Sequence, residues 1–179
     1  MHFKRTCLAP LALVLACATP PATDSHEMAS PATSNTPPAE SGDPVGRDIE
    51  RIRAATEAFR SLDEAVAAGY ARDGGGCVDN PPAGAMGYHH QNASLLDDEI
   101  EVERPEMLVY ERMPDGEYRL NGVEYIVPFS VRPADAEPPM VLGQELKPAP
   151  SLSLWYRHVW VWRENPSGMF ADWNPLVKC

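Results

Sequence analysis

The stretch MLVYERMPDGEYRLNGVEYIVP, residues 107–128, predicts a β-hairpin, and this hairpin decides the fold class. Met107 to Arg112 is rich in the apolar and aromatic residues that favour strands, and Pro114-Asp115-Gly116 has the composition of a turn. Tyr118 to Val127 follows as the returning strand, and Pro128 ends it because proline cannot donate to a sheet ladder. Two strands joined by so short a turn must be antiparallel.

The returning strand places a carboxylate among apolar neighbours. Residues two apart in a strand share one face of the sheet. One face carries Tyr118, Leu120, Glu124 and Ile126, and the other carries Val123, Tyr125 and Val127. Both faces are mainly apolar, so the alternation leaves open which one is buried. Asn121-Gly122 also predicts a bulge or kink within the strand. An unpaired Glu124 carboxylate would cost several kcal/mol, so it needs a partner, a proton or a wet pocket.

The segment from Leu152 to Arg163 predicts the strongest strand of the chain. Its even-numbered positions are apolar or aromatic and place His158 in the middle of that face, whereas its odd-numbered positions are more polar. An imidazole and a carboxylate are therefore both expected on apolar strand faces.

An N-terminal helical region precedes the strands. Its apolar residues recur at intervals of three and four, which places them on one stripe of a helix. The stripe consists of Ile49, Ile52, Thr56, Phe59, Leu62, Val66 and Tyr70. Asp43-Pro44 can start the helix as the N-cap and first helical residue, and Asp73-Gly74-Gly75-Gly76 ends it. Ser61 and Glu64 have the spacing of a capping box, which leaves open whether the region is one helix or two.

Two long connections complete the predicted domain, residues 77–106 and 132–151. The first is expected to be mostly irregular, and its acidic run lacks the alternating ligands and central glycine of an EF-hand, so a solvated face is favoured over a calcium loop. The second contains five prolines and predicts a surface connection. The sequence therefore predicts a loop-rich α+β domain over residues 47–179, with the N-terminal helical segment packed on a small, mainly antiparallel sheet.

Composition limits the possible functions. The chain has 179 residues, of which 44% are hydrophobic, enough for a packed core. Lys and Arg number 15 against 26 Asp and Glu, a formal net charge of −11, and this balance argues against nucleic acid as a partner. The 19 prolines argue against long uninterrupted helices, and no apolar run reaches the roughly 18 residues that span a bilayer.

Residues 1–16 have the pattern of a bacterial lipoprotein signal peptide. Lys4 and Arg5 form a basic start, an apolar stretch follows, and Cys17 comes directly after Ala16. By this resemblance Cys17 receives the lipid that anchors the protein to a membrane of the cell envelope, facing the periplasm or the exterior. Secretion with cleavage after Ala18 is the alternative. Residues 17–46 are rich in Pro, Ala, Ser and Thr and predict a tether between the membrane and the domain.

The domain contains two cysteines, Cys77 and Cys179. An even pair in an exported protein predicts a disulfide, which would close a loop of about 100 residues. Free thiols or a Cys–His metal site are the alternatives.

Four side chains are candidate metal ligands: His89, His90, Glu124 and His158. The histidine pair is expected in a loop between Gly87 and Asn92. Two histidines and a carboxylate suit Fe, Mn, Zn or Cu, although adjacent histidines point apart on an extended backbone, so one of the pair is the expected ligand. The alternatives are a structural hydrogen-bond network between His158 and Glu124 and a metal-free pocket. The sequence contains no recognisable nucleophile–base pattern. Whether the protein is an enzyme is therefore left open.

Four segments resemble an uncharacterised family of exported bacterial proteins. They are residues 84–92 (GAMGYHHQN, which contains MGYHH), 105–111, 122–128 (GVEYIVP) and 158–175, which contains HVWVW and NPSGMFADWNP. The family has no established activity, so the resemblance implies only that these His, Glu and Trp segments occur together. The predicted function is that of an envelope-anchored lipoprotein domain whose His/Glu pocket binds a metal ion or a small ligand. The alternative is a non-enzymatic module that contacts an envelope protein and uses the same residues structurally.

Overall fold

A computed structural model describes residues 43–179. The predicted signal peptide, Cys17 and most of the predicted tether lie outside these residues. The described part contains two α-helices, α1 Pro44–Thr56 and α2 Leu62–Ala67, separated by a 3-10 turn at Ala58–Arg60. A second 3-10 turn lies at Ala93–Leu95. The strands are β1 Ala71–Arg72, β2 Val78–Asn80, β3 Gly84–Gln91, β4 Met107–Arg112, β5 Tyr118–Pro128, β6 Met140–Val141, β7 Gln144–Glu145, β8 Lys147–Ala149 and β9 Leu154–Val159.

The main sheet is antiparallel throughout, which confirms the predicted α+β class at this level. Its order is β1-β3-β4-β5-β9-β8, with β2 paired to β3, while β6 and β7 form a separate two-stranded sheet. The predicted hairpin is present as β4 and β5, joined through the turn at Pro114-Asp115-Gly116. The centre of the sheet is therefore the part of the chain with the clearest strand pattern.

A bulge at Asn121 divides β5 into two parts, as the Asn121-Gly122 sequence predicts. Val109 pairs with Gly122 but Tyr110 pairs with Leu120, so Asn121 is the extra residue. An extra residue reverses the alternation of side chains on either side of it. Leu120 consequently lies in the same buried cluster as Val123 and Tyr125. The expectation that Tyr118 and Leu120 share a face with Glu124 is wrong for this reason.

Strand β3 lies within the stretch that was expected to be mostly irregular. Its eight residues pair with β4 on one side and with β1 and β2 on the other, and they include both His89 and His90. The histidines are therefore on a strand, and their predicted placement in a loop is wrong. Gly87 has φ of +113°, and a Cβ there would overlap the carbonyl oxygen of Tyr110 on β4. This glycine allows two strands to approach closely, whereas its sequence context alone predicts a loop residue.

The last strand of the sheet is shorter than predicted. Strand β9 covers Leu154–Val159, and residues 160–163 leave the sheet. The backbone N–H groups of Trp162 and Arg163 donate to the carbonyl oxygen of Asn121, so the bulge of β5 holds the chain where it departs from β9. Three short strands, β6, β7 and β8, lie within the predicted surface connection, and β8 pairs with β9.

The N-terminal region consists of two short helices. Asp43 caps α1 by accepting a hydrogen bond from the Val45 N–H, and Ser61 caps α2 by accepting one from the Glu64 N–H. The region ends at Ala67, before the predicted stop at Asp73. Ile49 and Ile52 belong to the same buried cluster as residues of β4, β5 and β9, whereas Val66 is 54% exposed and departs from the predicted stripe.

The predicted disulfide is confirmed: Cys77 and Cys179 are bonded, with their Cα atoms 5.5 Å apart. It joins the chain after β1 to its C-terminal residue across a separation of 102 residues. Within residues 43–179, no helix is both long enough and apolar enough to cross a membrane.

Candidate metal centre

Three of the four candidate ligands meet on one face of the sheet. Glu124 on β5 lies directly opposite His158 on β9, and directly opposite residues in an antiparallel pair point to the same face. His89 reaches the same point from β3, which is two strands away from β5. Three strands therefore contribute one donor each, which we call the His-Glu-His cluster, defined by His89, Glu124 and His158.

The donor atoms of this cluster lie close to one another. His89 Nε2 lies 3.4 Å from His158 Nε2 and 3.6 Å from a carboxylate oxygen of Glu124. His158 Nδ1 lies 3.4 Å from the other oxygen of Glu124. One nitrogen of each histidine and one oxygen of Glu124 all lie within 4.8 Å of one another. Two ligands bound tetrahedrally at about 2.0–2.1 Å from zinc lie roughly 3.3 Å apart, so the three donors would have to draw closer together to hold one ion.

All three side chains are buried, and burial sets their protonation. Removal from water raises the pKa of Glu124 to about 8, with smaller contributions from the negative charges of Asp172, Asp73 and Glu106. The same loss of solvation lowers the pKa of His89 and of His158 below the ordinary value for histidine. Without an ion, the cluster is therefore neutral near pH 7. A cation at its centre favours the ionised carboxylate and leaves both imidazoles free to bind through nitrogen.

The hydrogen bonds of the cluster are incomplete. The two Nε2 atoms can share one proton, with one nitrogen donating and the other accepting. His158 Nδ1 is buried without a hydrogen-bond partner, although Glu124 lies 3.4 Å away. A buried polar atom without a partner is unfavourable. An ion bound to this nitrogen would supply the missing partner.

His90 is not brought to the cluster. Its ring packs against Tyr110, with ring centroids 5.1 Å apart, and Tyr110 belongs to the buried cluster on the helix side of the sheet. Consecutive residues of a strand point to opposite faces, so only one of two adjacent histidines can face Glu124. The residue of the pair that faces Glu124 is His89.

Trp160 packs against the ring of His158. The two rings are stacked at 15°, with centroids 6.1 Å apart. The Trp160 indole N–H donates to the carbonyl oxygen of Ala171 at 2.6 Å, which fixes the indole in turn. His158 is therefore held in place by a side chain that is itself buried and hydrogen-bonded.

A cavity of about 610 Å³ opens beside the cluster, and His89 and Glu124 are part of its wall. Much of the remaining wall is apolar or aromatic: Met86, Met107, Ile126, Leu154, Tyr156 and Trp173. The volume is within the range of pockets that bind small molecules. Sequence reasoning missed the two methionines, although Met107 stands opposite Glu124 once the register of the hairpin is known.

Comparison with known protein families, with curated proteins and with solved structures found no match to this chain. The similarity to an exported bacterial family stays a prediction. Among the described residues, the cluster is a group of three side chains that could hold a metal ion.

Proposed function

We propose that the domain binds one transition-metal ion through His89, Glu124 and His158. The observation that carries the proposal is the convergence of three buried donors, one from each of three strands, within 4.8 Å of one another. Two imidazoles and a carboxylate form a donor set that first-row transition metals accept. Three protein ligands leave at least one coordination position open.

The cavity beside the cluster suggests a second part of the function. Because His89 and Glu124 line the cavity wall, a molecule inside it would lie next to the ion. The apolar wall favours a small, uncharged or weakly polar organic ligand with one atom that binds metal. The acidic charge of Asp73 on the same wall disfavours an anion.

The test is titration of the purified, metal-free chain with Co²⁺, followed by its visible absorption, and with Zn²⁺ in competition. We expect one ion per chain. The variants His89→Ala, His158→Ala and Glu124→Gln should each weaken binding by tenfold or more, because each removes one ligand. His90→Ala is the matched control, since it removes the neighbouring imidazole on the opposite face and should retain the affinity of the unmodified chain.

The competing interpretation is a structural network without metal. It is favoured by the 3.4 Å contact between the two Nε2 atoms, which is also a long hydrogen bond. It predicts no stoichiometric binding and the same loss of folding stability in the ligand variants with or without metal. Equal affinities in His89→Ala and His90→Ala would reject the metal site.

We also propose that the domain acts at the cell envelope, attached through lipid on Cys17. Support comes from the basic and apolar N-terminal pattern that ends at Cys17 and from the Cys77–Cys179 disulfide, because disulfides persist mainly in oxidising compartments. In bacterial cells given a labelled fatty acid, the chain should incorporate label and the Cys17→Ser variant should not. Equal labelling of the two would exclude Cys17 as the attachment site.

A further inference from the structure

We propose that Met107 makes the His-Glu-His cluster a copper site, in which its thioether sulfur is a ligand of the reduced ion. The inference rests on the metal-binding function proposed above, and it names the metal and a fourth protein ligand.

The position of Met107 carries the inference. It lies on β4 directly opposite Glu124 on β5, and Glu124 lies directly opposite His158 on β9. Met107, Glu124 and His158 therefore form one row across three strands on a single face of the sheet. Met107 is 6% exposed and contributes to the wall of the same cavity as His89 and Glu124.

The thioether can reach an ion bound by the cluster. Side chains directly opposite in an antiparallel pair start from Cβ atoms about 4.5–5.5 Å apart. Methionine is unbranched and has three rotatable side-chain bonds, so its sulfur can adapt to a ligand position in the space that the cavity provides.

The chemistry of the four donors favours copper over the other candidate ions. Thioethers are soft ligands that select Cu⁺, and imidazole also suits copper. Carboxylate and imidazole bind Cu²⁺, which stands highest in the affinity order of the divalent first-row metals. Cys77 and Cys179 are joined in the disulfide, so among residues 43–179 no thiolate competes with the thioether for Cu⁺.

The alternative role of Met107 is to fill space beside the sheet, which methionine does well in apolar surroundings. Leucine has a similar volume and no sulfur, so Met107→Leu separates the two roles. A packing role predicts a small change in folding stability and no change in the affinity for any metal.

The experiment measures Cu⁺ affinity in the absence of oxygen, by competition with a chromogenic Cu⁺ chelator. It uses the full chain with Cys7→Ser and Cys17→Ser, so that no free thiol binds copper. We expect Met107→Leu to weaken Cu⁺ binding by tenfold or more and to change Zn²⁺ affinity by less than about threefold. Met140→Leu is the control, because Met140 is 54% exposed and is not part of the cavity wall. X-ray absorption of the Cu⁺-loaded chain should contain a copper–sulfur contribution that Met107→Leu removes.

The outcomes separate this inference from the proposed function. Equal Cu⁺ affinities for Met107→Leu and Met140→Leu, with Zn²⁺ binding intact, would overturn the role of Met107 and leave the metal site in place. Failure of the chain to bind either ion would overturn both.

Discussion

Glu124 and His158 owe their properties to the face of the sheet on which they lie. Each is buried on a face that also carries apolar side chains, and the two lie directly opposite each other, with His158 Nδ1 3.4 Å from a Glu124 oxygen. Burial favours the neutral forms of the carboxyl and the imidazole, and this agrees with the proposal that the cluster can accept a cation. The matched titration of His89→Ala against His90→Ala tests this interpretation one residue at a time.

A second buried carboxyl, that of Glu106, makes a prediction that does not involve metal. Glu106 is 2% exposed, and one of its oxygens accepts a hydrogen bond from the Ile126 N–H at 3.0 Å. Burial raises its pKa from the ordinary 4.5 to about 8. Between these two values the folded chain holds a proton that the unfolded chain releases. The contribution of protonated Glu106 to stability is therefore complete below pH 4.5 and is lost as the pH rises to 8 and above.

We expect Glu106→Gln to remove this pH dependence, because glutamine is uncharged and its oxygen can still accept from Ile126. Relative to the variant, the original chain should lose up to about 1.4 kcal/mol of unfolding free energy per pH unit within this interval. Urea unfolding at pH 5, 6.5 and 8 with a chelator present measures the difference, and Glu99→Gln at an exposed position is the control. A constant difference between Glu106→Gln and the original chain across the three pH values would show that Glu106 does not titrate in this interval.

At the residue scale, period-two alternation predicted Glu124 and His158 because both lie beyond the bulge, where β5 and β9 alternate regularly. It did not predict Met107 as a neighbour of Glu124. That neighbourhood depends on which residues of β4 and β5 are opposite each other, and the bulge changes the register by one residue. His89 was a candidate from its residue type, but its contact with Glu124 depends on a strand, β3, that the sequence did not indicate.

At the scale of elements, β3 is the strand that makes the cluster possible. It brings His89 beside β4, and its glycines gave it the appearance of a loop in the sequence. Two demands of the fold require glycine at position 87: the backbone has φ of +113°, and a Cβ would overlap the Tyr110 carbonyl group on the next strand. Local propensity describes only the first demand, because the second comes from the pairing of distant segments.

Replacement of Gly87 by alanine separates these demands. Gly168 has nearly the same φ of +112°, but a Cβ there would have no atom within 4 Å. We expect Gly168→Ala to lose about 1–2 kcal/mol of unfolding free energy from backbone strain alone. Gly87→Ala should lose about 1–3 kcal/mol more, because the methyl group pushes β3 away from β4.

The same substitution should affect the site. Movement of β3 displaces His89 from Glu124, so Gly87→Ala should weaken Zn²⁺ binding at least tenfold while Gly168→Ala retains it. Urea unfolding and Zn²⁺ competition on both variants measure the two effects. Equal stabilities and affinities for the pair would show that the contact with Tyr110 has no structural role.

At the scale of the whole molecule, the acidic balance of the chain supports a cation as the ligand. A formal charge of −11 attracts cations from solution and repels anions. The C-terminal residues are also connected to the site, although they lie far from it in sequence. Val177 shares a small buried cluster with Ala85 and Trp160, and Trp160 stacks on His158. The disulfide holds the end of this segment through Cys179.

Loss of the disulfide should therefore reduce both stability and metal affinity. Closing a loop of this length contributes up to about 4.7 kcal/mol in the chain-entropy description, and removal of native disulfides typically costs about 2–5 kcal/mol. We expect the double variant Cys77→Ser with Cys179→Ser to lose unfolding free energy in that range. It should also bind Zn²⁺ more weakly, because Val177 is no longer held against Trp160, the residue that fixes His158. Lys178→Ala, which keeps the disulfide and changes the neighbouring residue, is the control for both measurements. If the double variant lost stability but bound Zn²⁺ as tightly as the control under conditions where both are folded, the path from Cys179 through Trp160 to His158 would have no part in the site.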